Sequence, residues 1–460
     1  MAMRKLRNDL CIQSINDQCI VILPYSGKMF TLNTTAGWIL ELIDQSHNDE
    51  EIIRAFKNRF GLSADDFSQD YADLISQFES FGFFEKEPET KILANQSSKM
   101  GFLHSDEFRG EIKKYCQDNY IPLQAFFELT YGCNLECKHC YIPNELPKNR
   151  LGIDDYKRLV DELKEMGCLE IILTGGECLL NPLWMEICEY IRKKRLSFVV
   201  KSNAVLLNDR NVDILKRYAV SEVQISLYSM DASIHDGFTK KPGSHSATIA
   251  AIKKLKQAAI PVRISTVVTK SNFKHLKDLV AFSREENIPI GFDLVVTRSL
   301  DSGVNPLDER LGERELKWLD SNKIMKDVIF DGSMGQPSEI YQEDVKYNYV
   351  DDFESPICGA GNTVMAISPD GEIRPCITYP VVVGNIFERS LKDIWWKPNA
   401  ELQSVRNTKA SDFLECEECS ISDTCPRCPA TISQETGSPT GKAEYICLIA
   451  EYFDKYGGEN

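Results

Sequence analysis

Length, composition and charge already limit what this chain can be. It has 460 residues, of which 43% are hydrophobic and 27% charged, and its formal net charge is −16. This length predicts several domains with ample core, and so acidic a chain is a poor general nucleic-acid binder, which normally presents a basic face. No apolar run approaches the roughly 18 residues that a membrane-spanning helix needs. We expect a cytoplasmic protein with neither a nucleic-acid nor a membrane partner.

Residues 1–88 combine short strands with helices. Apolar runs at 19–23 and 28–32 flank a turn-forming sequence at 24–27 and predict a hairpin. Three helical patterns follow, a combination that resembles a winged helix. Residues 89–118 are predicted to be a linker. The expected helix caps are Thr34 or Thr35, Asn48 or Asp49, and Ser63.

Residues 119–300 alternate between strand and helix patterns. Repeated βα units argue for parallel strands with right-handed crossovers, arranged as an open barrel or as a doubly wound sheet. Residues 301–355 are acidic and free of cysteine, and we expect a bridging region there, before a cysteine-rich segment at 356–460. The predicted strands are 123–130, 170–174, 197–202, 222–228, 262–268 and 290–296, and the predicted helices are 153–166, 182–194, 208–217, 246–258 and 272–286.

A cysteine triplet directly follows the first of these strands. Cys133, Cys137 and Cys140 form a C-x₃-C-x₂-C pattern. Three thiolates leave one iron of a 4Fe–4S cluster free for a small molecule, whereas structural zinc sites normally have a fourth protein ligand. A zinc knuckle is the competing interpretation. The spacing resembles that of the radical SAM superfamily, and this resemblance implies a partial (β/α)₆ barrel with the cluster at the C-terminal strand edge, where parallel barrels carry their active sites.

The resemblance extends to a binding site for S-adenosylmethionine (SAM). Gly175, Gly176 and Glu177 match the GGE motif, in which backbone carbonyls and the carboxylate accept hydrogen bonds from the SAM ammonium, and glycine lets the backbone approach a ligand closely. The implied chemistry is reductive cleavage of SAM to a 5′-deoxyadenosyl radical, with Cys133, Cys137, Cys140 and Glu177 as catalytic residues. The other implied SAM contacts are Tyr141, Ser202, Asn203, Ser226 and Lys240, with His139 packing on the adenine beside Tyr141.

Seven further cysteines lie in the C-terminal segment and resemble the SPASM domain, which carries auxiliary 4Fe–4S clusters. Three clusters in total are therefore implied. Paired C-x₂-C motifs also occur in zinc ribbons, which is the alternative. The resemblance assigns Cys416, Cys419, Cys425 and Cys447 to an outer cluster, and Cys358, Cys376 and Cys428 to an inner cluster that lacks a fourth cysteine. That cluster would use a carboxylate or keep an open iron for a substrate thiolate. The remaining six cysteines are expected to be buried small hydrophobes.

The sequence from Phe30 to Ile43 resembles the peptide-recognition winged helix of ribosomal-peptide (RiPP) maturases. In that family a leader peptide adds a strand to an exposed sheet edge. The predicted edge strand is 28–32, with Lys28, Phe30 and Leu32 as leader contacts. A DNA-binding winged helix is the alternative, but residues 1–90 contain 8 Lys and Arg against 15 Asp and Glu, and phosphate contacts demand basic groups.

The combined resemblance implies a peptide maturase of the sactipeptide or ranthipeptide type. Such an enzyme joins a cysteine sulfur to a carbon of the same precursor peptide in a thioether, and a flavodoxin or ferredoxin supplies the electron. The alternatives are a carbon–carbon link between side chains, oxidation of Cys or Ser as in sulfatase maturation, and a peptide chaperone with inert clusters. An intact triplet with Glu177 argues against inert clusters.

Overall fold

The computed structural model describes residues 4–23, 28–61, 64–85, 111–143, 149–300, 306–329, 356–422, 425 and 427–457. Within these ranges the strands form a three-stranded and a nine-stranded sheet, and every helix is too short or too polar to span a bilayer. The strands are β1 (Cys11–Ile15), β2 (Gln18–Leu23), β3 (Lys28–Asn33), β4 (Gln124–Thr130), β5 (Glu170–Gly175), β6 (Ser197–Ser202), β7 (Glu222–Ser226), β8 (Val262–Val267), β9 (Ile290–Asp293), β10 (Val364–Ile367), β11 (Glu372–Arg374) and β12 (Gly384–Asn385). The helices are α1 (Thr34–Asp44), α2 (Asp49–Phe60), α3 (Ala64–Phe81), α4 (Glu111–Asp118), α5 (Ile153–Glu165), α6 (Trp184–Lys193), α7 (Asp209–Arg217), α8 (Ala232–Thr239), α9 (Ser244–Gln257), α10 (Leu276–Glu286), α11 (Glu313–Ser321), α12 (Leu391–Trp396), α13 (Ala400–Asn407), α14 (Pro429–Thr436) and α15 (Glu444–Gly457).

The N-terminal segment is an antiparallel sheet, β1–β2–β3, followed by three helices. The predicted strands at 19–23 and 28–32 pair with each other, whereas β1 was not predicted. Asn16 and Asp17 connect β1 to β2 with φ angles of 50° and 57°, as a type I′ hairpin turn requires. Asn33, not Thr34 or Thr35, caps α1, since its side chain accepts from Ala36 N. The predicted turn at 24–27 and the predicted cap Ser63 lie outside the described residues.

The free edge of β1 faces the central segment of the chain. Ile12 N donates to the Arg195 carbonyl oxygen at 3.0 Å, and the Arg195 side chain reaches Asp44 at 3.1 Å. Arg192, on α6, donates to Cys11 Sγ at 3.2 Å. These bonds attach the N-terminal segment through β1, which leaves β3 as the opposite edge strand of the described sheet.

Part of the predicted linker is a folded element. Residues 86–110 lie outside the described residues, but α4 occupies 111–118. Cys116 of this helix is fully buried and packs with Ile121 and Leu123. The predicted bridging region also contains a helix, α11, while residues 330–355 lie outside the described part.

The central segment is the predicted parallel βα barrel, with β4 to β9 paired in chain order. Side chains alternate across each strand. On β6, for example, Phe198 and Val200 pack in the core between strands and helices, so Val199 and Lys201 face the barrel interior. The predicted strand ends agree within a few residues, although β7 and β9 stop earlier, at Ser226 and Asp293.

The C-terminal segment continues the same sheet. β10 pairs in parallel with β4, from Val364 opposite Gln124 to Ile367 opposite Phe127. β11 and β12 extend the sheet further in antiparallel fashion. The strand that leads into the cysteine triplet is therefore flanked on both sides, by the barrel strand β5 and by a strand of the cysteine-rich segment.

Candidate functional site

The cysteine triplet lies in the loop that follows β4, at the C-terminal edge of the barrel strands. The three thiols are close enough to interact electrostatically, and burial together with its neighbours Cys140 and Cys133 raises the pKa of Cys137 to about 12. The loop is held by α8, because Glu136 N and Lys138 N donate to the last carbonyls of that helix at 3.1 Å and 3.2 Å.

The two glycines at the end of β5, Gly175 and Gly176, lie directly on this loop. Gly176 N donates to the Thr130 carbonyl oxygen at 2.7 Å. A Cβ atom at Gly176 would lie 2.4 Å from the Gly132 carbonyl oxygen, and one at Gly175, where φ is +121°, would lie 2.3 Å from that of Thr130. The close approach that requires glycine here is therefore made to the backbone of the cysteine loop.

Glu177 is fully buried, and its carboxylate joins the ends of β5 and β6. It accepts hydrogen bonds from Ser202 Oγ at 2.9 Å and 3.0 Å, from Asn203 N at 2.9 Å and from Leu179 N at 3.2 Å. Burial raises the pKa of Glu177, and these donors lower it. Protein donors therefore occupy both carboxylate oxygens, so an additional ammonium donor would share or replace one of them.

The other predicted SAM contacts lie at successive strand ends. Asn203 Nδ2 donates to Asn134 Oδ1 at 2.9 Å and lies 3.8 Å from Cys133 Sγ. Ser226 and the Cys137 thiol both interact with the hydroxyl of Tyr228, and each affects its pKa. Lys240 is exposed at the end of α8, and its backbone has a left-handed conformation with a φ angle of 54°. Ser202 and Asn203 thus adjoin Glu177, Ser226 reaches the triplet through Tyr228, and Lys240 follows the helix that braces the loop.

The two aromatic residues beside Cys140 have different surroundings. The His139 ring stacks on Phe238 with centroids 5.0 Å apart and meets Tyr228 edge to face at 5.2 Å. Burial lowers the pKa of His139 to about 4, which keeps the imidazole neutral. The Tyr141 hydroxyl donates to Glu128 at 3.2 Å. His139 therefore packs towards α8, and the Tyr141 hydroxyl is directed at β4.

Glu128 was missed in the sequence. It is buried on the inner face of β4 and also accepts from Tyr131 Oη at 2.9 Å. Arg374, two residues before Cys376, donates to the same Tyr131 oxygen at 3.1 Å. Burial raises the pKa of Glu128 to about 7. This network links the triplet loop to the cysteine-rich segment.

The C-terminal cysteines lie in two groups of interacting thiols, and their roles as ligands of two clusters stay predictions. Cys358, Cys376 and Cys428 interact with one another, and burial raises the pKa of Cys358 to about 12 and that of Cys376 to about 11. The cysteines of the other set likewise interact with one another, and no cysteine of the first set is among the groups that shift their pKa values. This other set comprises Cys416, Cys419, Cys425 and Cys447.

The three predicted leader contacts lie on β3. Leu32 is buried in the core of the N-terminal segment, and Phe30 stacks on Phe81 with centroids 4.7 Å apart. Lys28 is exposed at the start of the strand. Phe30 and Leu32 thus pack within the domain itself. What β3 offers at its outward edge is its backbone.

The residues around the triplet fit an iron–sulfur cluster. Asn134 Nδ2 and His139 Nδ1, each next in sequence to a cysteine of the triplet, are buried without a hydrogen-bond partner among the described residues. In the described chain no three His, Cys, Asp or Glu side chains form a site for one metal ion. Cubane ligands bind separate irons and stand further apart than the ligands of a single ion, so the triplet is compatible with a cluster.

Comparison with known proteins agrees with this geometry. The model of the Radical SAM superfamily matches residues 127–283, that of the SPASM iron–sulfur cluster-binding domain matches 358–428, and that of coenzyme PQQ synthesis protein D (PqqD) matches 19–83. Each match lies inside the corresponding predicted segment. The segment limits themselves stay predictions.

Related proteins align over most of the chain. The antilisterial bacteriocin subtilosin biosynthesis protein AlbA of Bacillus subtilis is 27% identical, covering 86% of this chain and 84% of its own. The AdoMet-dependent heme synthase of Methanosarcina barkeri is 30% identical, covering 69% and 93%. The crystal structure of Streptococcus suis SuiB bound to precursor peptide SuiA has a TM-score of 0.61 at 19% identity, covering 97% and 100%.

Fold, site and relatives together define an enzyme that uses S-adenosylmethionine and iron–sulfur clusters. This chain belongs to the radical SAM superfamily, with an N-terminal PqqD-like domain and a C-terminal SPASM domain. The family and fold predicted from the sequence are confirmed.

Proposed function

We propose that this chain is a maturase of a ribosomally synthesised precursor peptide and forms thioether links between a cysteine sulfur and a carbon of that peptide. The observation that carries the proposal is the alignment with a bacteriocin biosynthesis protein over 86% of the chain, together with a PqqD-like domain attached through β1 and an extra three-cysteine set beyond the barrel. The heme synthase relative, whose name suggests a tetrapyrrole-modifying function, aligns with a smaller share of the chain, 69%.

Each part of the chain has a distinct role in this proposal. The outward edge of β3 offers backbone groups to an extended leader peptide. Cys133, Cys137 and Cys140 hold one 4Fe–4S cluster, and Glu177, Asn203 and Ser226 surround its SAM. The two C-terminal cysteine sets hold two auxiliary clusters, which makes three in all. We keep Gly175, Gly176, Ser202, Lys240 and Tyr141 in the proposed SAM site.

When bound, SAM and its cluster supply a carbon-centred radical that removes a hydrogen atom from an unactivated C–H bond. The chain's own task is to orient the peptide and exclude water. The inner set, Cys358, Cys376 and Cys428, has one cysteine fewer than the outer set, which suits a site that accepts a substrate thiolate. A flavodoxin or ferredoxin is the proposed reductant. The cytoplasmic location stays a prediction.

Co-expression tests the proposal directly. The partner to co-express is any short cysteine-containing peptide encoded near this chain's gene, and it is then analysed by mass spectrometry and thiol alkylation. We expect the peptide to lose two hydrogens per link, with one free thiol lost for each. The same mass loss with every thiol still titratable would instead indicate carbon–carbon links, and an unchanged peptide would refute peptide maturation.

A matched pair of variants ties that result to the triplet. Cys137→Ala removes one proposed cluster ligand and is expected to abolish the modification. Cys188→Ala removes a fully buried cysteine from the barrel core and is expected to retain it. Modification that persists in Cys137→Ala would contradict the proposed site.

A further inference from the structure

A further carboxylate, besides Glu128 and Glu177, lies at the C-terminal edge of the barrel strands. Asp293 is the last residue of β9. Its strand neighbours Phe292 and Leu294 pack against the helices, so strand alternation turns Asp293 towards the barrel interior. Because β9 is parallel to β6 and β5, Asp293 lies at the same C-terminal edge as Asn203 and the glycine motif.

Asp293 is also connected, through Val295, to an apolar cluster that contains auxiliary cysteines. Its carboxylate accepts a hydrogen bond from Val295 N at 2.8 Å. The Val295 side chain packs in an apolar cluster that contains Ile357 and Cys358. Tyr445 in α15 fixes the intervening residue, since its hydroxyl donates to the Leu294 carbonyl oxygen at 2.6 Å. The same cluster contains Cys425 and Cys416 of the outer set, so Asp293 lies between the barrel interior and an apolar cluster that carries cysteines of both auxiliary sets.

Lys201 faces Asp293 from the opposite wall. β6 and β9 are separated by two strands, so the two residues are about 14 Å apart along the sheet. Strand alternation turns both side chains into the barrel interior, and each affects the pKa of the other. The Lys201 ammonium also lies 5.4 Å from the centroid of the Phe126 ring, on the inner face of β4.

We propose that Asp293 accepts the thiol proton of the substrate cysteine during thioether formation. This inference rests on the proposed function. A thiol and a C–H group that become a thioether release a hydrogen atom, a proton and an electron. The C–H bond breaks homolytically and its hydrogen atom passes to the SAM-derived radical. The S–H bond breaks heterolytically, the proton passes to Asp293, and the sulfur–carbon bond forms as the remaining electron reduces an oxidised iron–sulfur cluster.

The surroundings of Asp293 suit a proton acceptor. Burial raises the pKa of Asp293 to about 6, and Lys201 opposes that rise. A general base works best when its pKa lies near the working pH. The groups that face the carboxylate are the Lys201 ammonium from β6 and the Tyr445 hydroxyl from α15, whose own pKa burial and Asp293 both raise.

The test compares Asp293→Asn with Glu170→Gln in the full-length enzyme, using the precursor peptide deuterated at the acceptor carbon. Asn keeps an oxygen for Val295 N but cannot take the proton. Glu170 is a buried carboxylate at the opposite end of the barrel strands and serves as the matched control. We expect Asp293→Asn to transfer deuterium to 5′-deoxyadenosine as the wild type does, yet to form at least about tenfold less thioether. Glu170→Gln should match the wild type in both.

An infrared difference spectrum gives a readout that does not depend on turnover. Adding the cysteine-containing precursor to SAM-free enzyme should produce a protonated-carboxyl band in the wild type, and the same peptide with Ser for Cys should not. The band should be absent in Asp293→Asn. The wild-type rate of thioether formation should also rise with pH through about 6, whereas the residual rate of the variant should not.

Three outcomes overturn the inference. If Asp293→Asn forms thioether at the wild-type yield, Asp293 is not the acceptor, while the proposed function stands. If the variant loses iron or changes the resonance spectrum of an auxiliary cluster, Asp293 is a cluster ligand instead. If the wild type modifies no peptide thiol, the proposed function fails and the inference fails with it.

Discussion

The hydroxyl of Ser202 lies 2.9 Å and 3.0 Å from the two carboxylate oxygens of Glu177, in a region with no solvent contact for the glutamate. This contact fixes the GGE motif at the end of β5 to the end of β6. It also makes the position of the carboxylate depend on a neighbouring strand.

Ser202→Ala should destabilise the fold and weaken SAM binding. A hydrogen bond to a buried charged group contributes about 1.5–3 kcal/mol, so the free energy of unfolding should fall by about that amount. Ser233→Ala is the control, because the Ser233 hydroxyl donates to Asp231 at 2.6 Å in an exposed position. Urea unfolding and SAM titration calorimetry measure both effects. Equal stability losses in the two variants would argue against a special role for the buried contact.

Gly176→Ala should disrupt the cysteine loop. The added methyl group would lie 2.4 Å from the Gly132 carbonyl oxygen, and no flexible side chain can move aside there. Gly237→Ala, in α8, has nothing within 4 Å of its added methyl group, and should be neutral or stabilising by up to about 1 kcal/mol. Iron content after anaerobic reconstitution should fall only in the Gly176 variant. Full iron content in Gly176→Ala would show that the loop tolerates the shift.

Glu170 should make stability depend on pH. Burial raises the pKa of Glu170 from 4.5 to about 7, so the folded state holds its proton more tightly than the unfolded state does. The free energy of unfolding therefore falls as pH rises between these values. Relative to the wild type, Glu170→Gln should gain about 1–3 kcal/mol between pH 4 and pH 8. Denaturant titrations at several pH values test this, and a difference that stays constant would contradict it.

Removing one cysteine from an auxiliary set should remove a single cluster. Three clusters correspond to about twelve iron atoms per chain, and Cys376→Ala should leave about eight. The buried Cys188, outside all three sets, provides the control Cys188→Ala with unchanged iron. Iron and sulfide quantitation of anaerobically purified protein gives the answer. A full iron content in Cys376→Ala would remove Cys376 from the proposed ligands.

Tyr131→Phe should lower the free energy of unfolding, because it leaves a hydrogen-bond network incomplete. The lost hydroxyl donates to Glu128 at 2.9 Å and accepts from Arg374 at 3.1 Å, so two buried charged groups each lose a partner. We expect a loss of about 1–3 kcal/mol in the free energy of unfolding. Tyr218→Phe removes an exposed bond of 3.1 Å to Glu189 and should cost less than about 0.5 kcal/mol. Thermal unfolding distinguishes the two variants, and similar costs would contradict the network's role.

Local patterns predicted the elements that depend on local physics. The predicted barrel strands alternate with amphipathic helices, and the structure has each predicted element within a few residues of its predicted limits, whereas α8 was not predicted. β1 was missed although Asn16-Asp17 between apolar runs is a recognisable hairpin turn. The parallel pairing of β10 with β4 has no local signal, because the two strands are more than 200 residues apart.

The site was predictable where a motif carries it. The triplet and the glycine motif are recognisable in the sequence, and the structure brings these two to one strand edge, after β4 and β5. The auxiliary cysteine sets came from the resemblance. Glu128, Lys201 and Asp293 were missed because each is an isolated charge within an apolar strand. That isolation is itself a signal, since parallel strands covered on both faces normally exclude charge. The many hydrogen bonds to Glu177 could not be foreseen, as they depend on where β6 ends relative to β5.

The shared sheet also bears on how a substrate is admitted. Val364 to Ile367 bond along their length to the strand that ends in the triplet, so the auxiliary domain cannot hinge away without breaking a parallel ladder. The spacing between the triplet loop and this segment is therefore set by the sheet before any substrate binds. In the proposed function, a peptide cysteine would be selected by whether the flexible chain can reach across that fixed spacing, and cysteines too near the leader would escape modification.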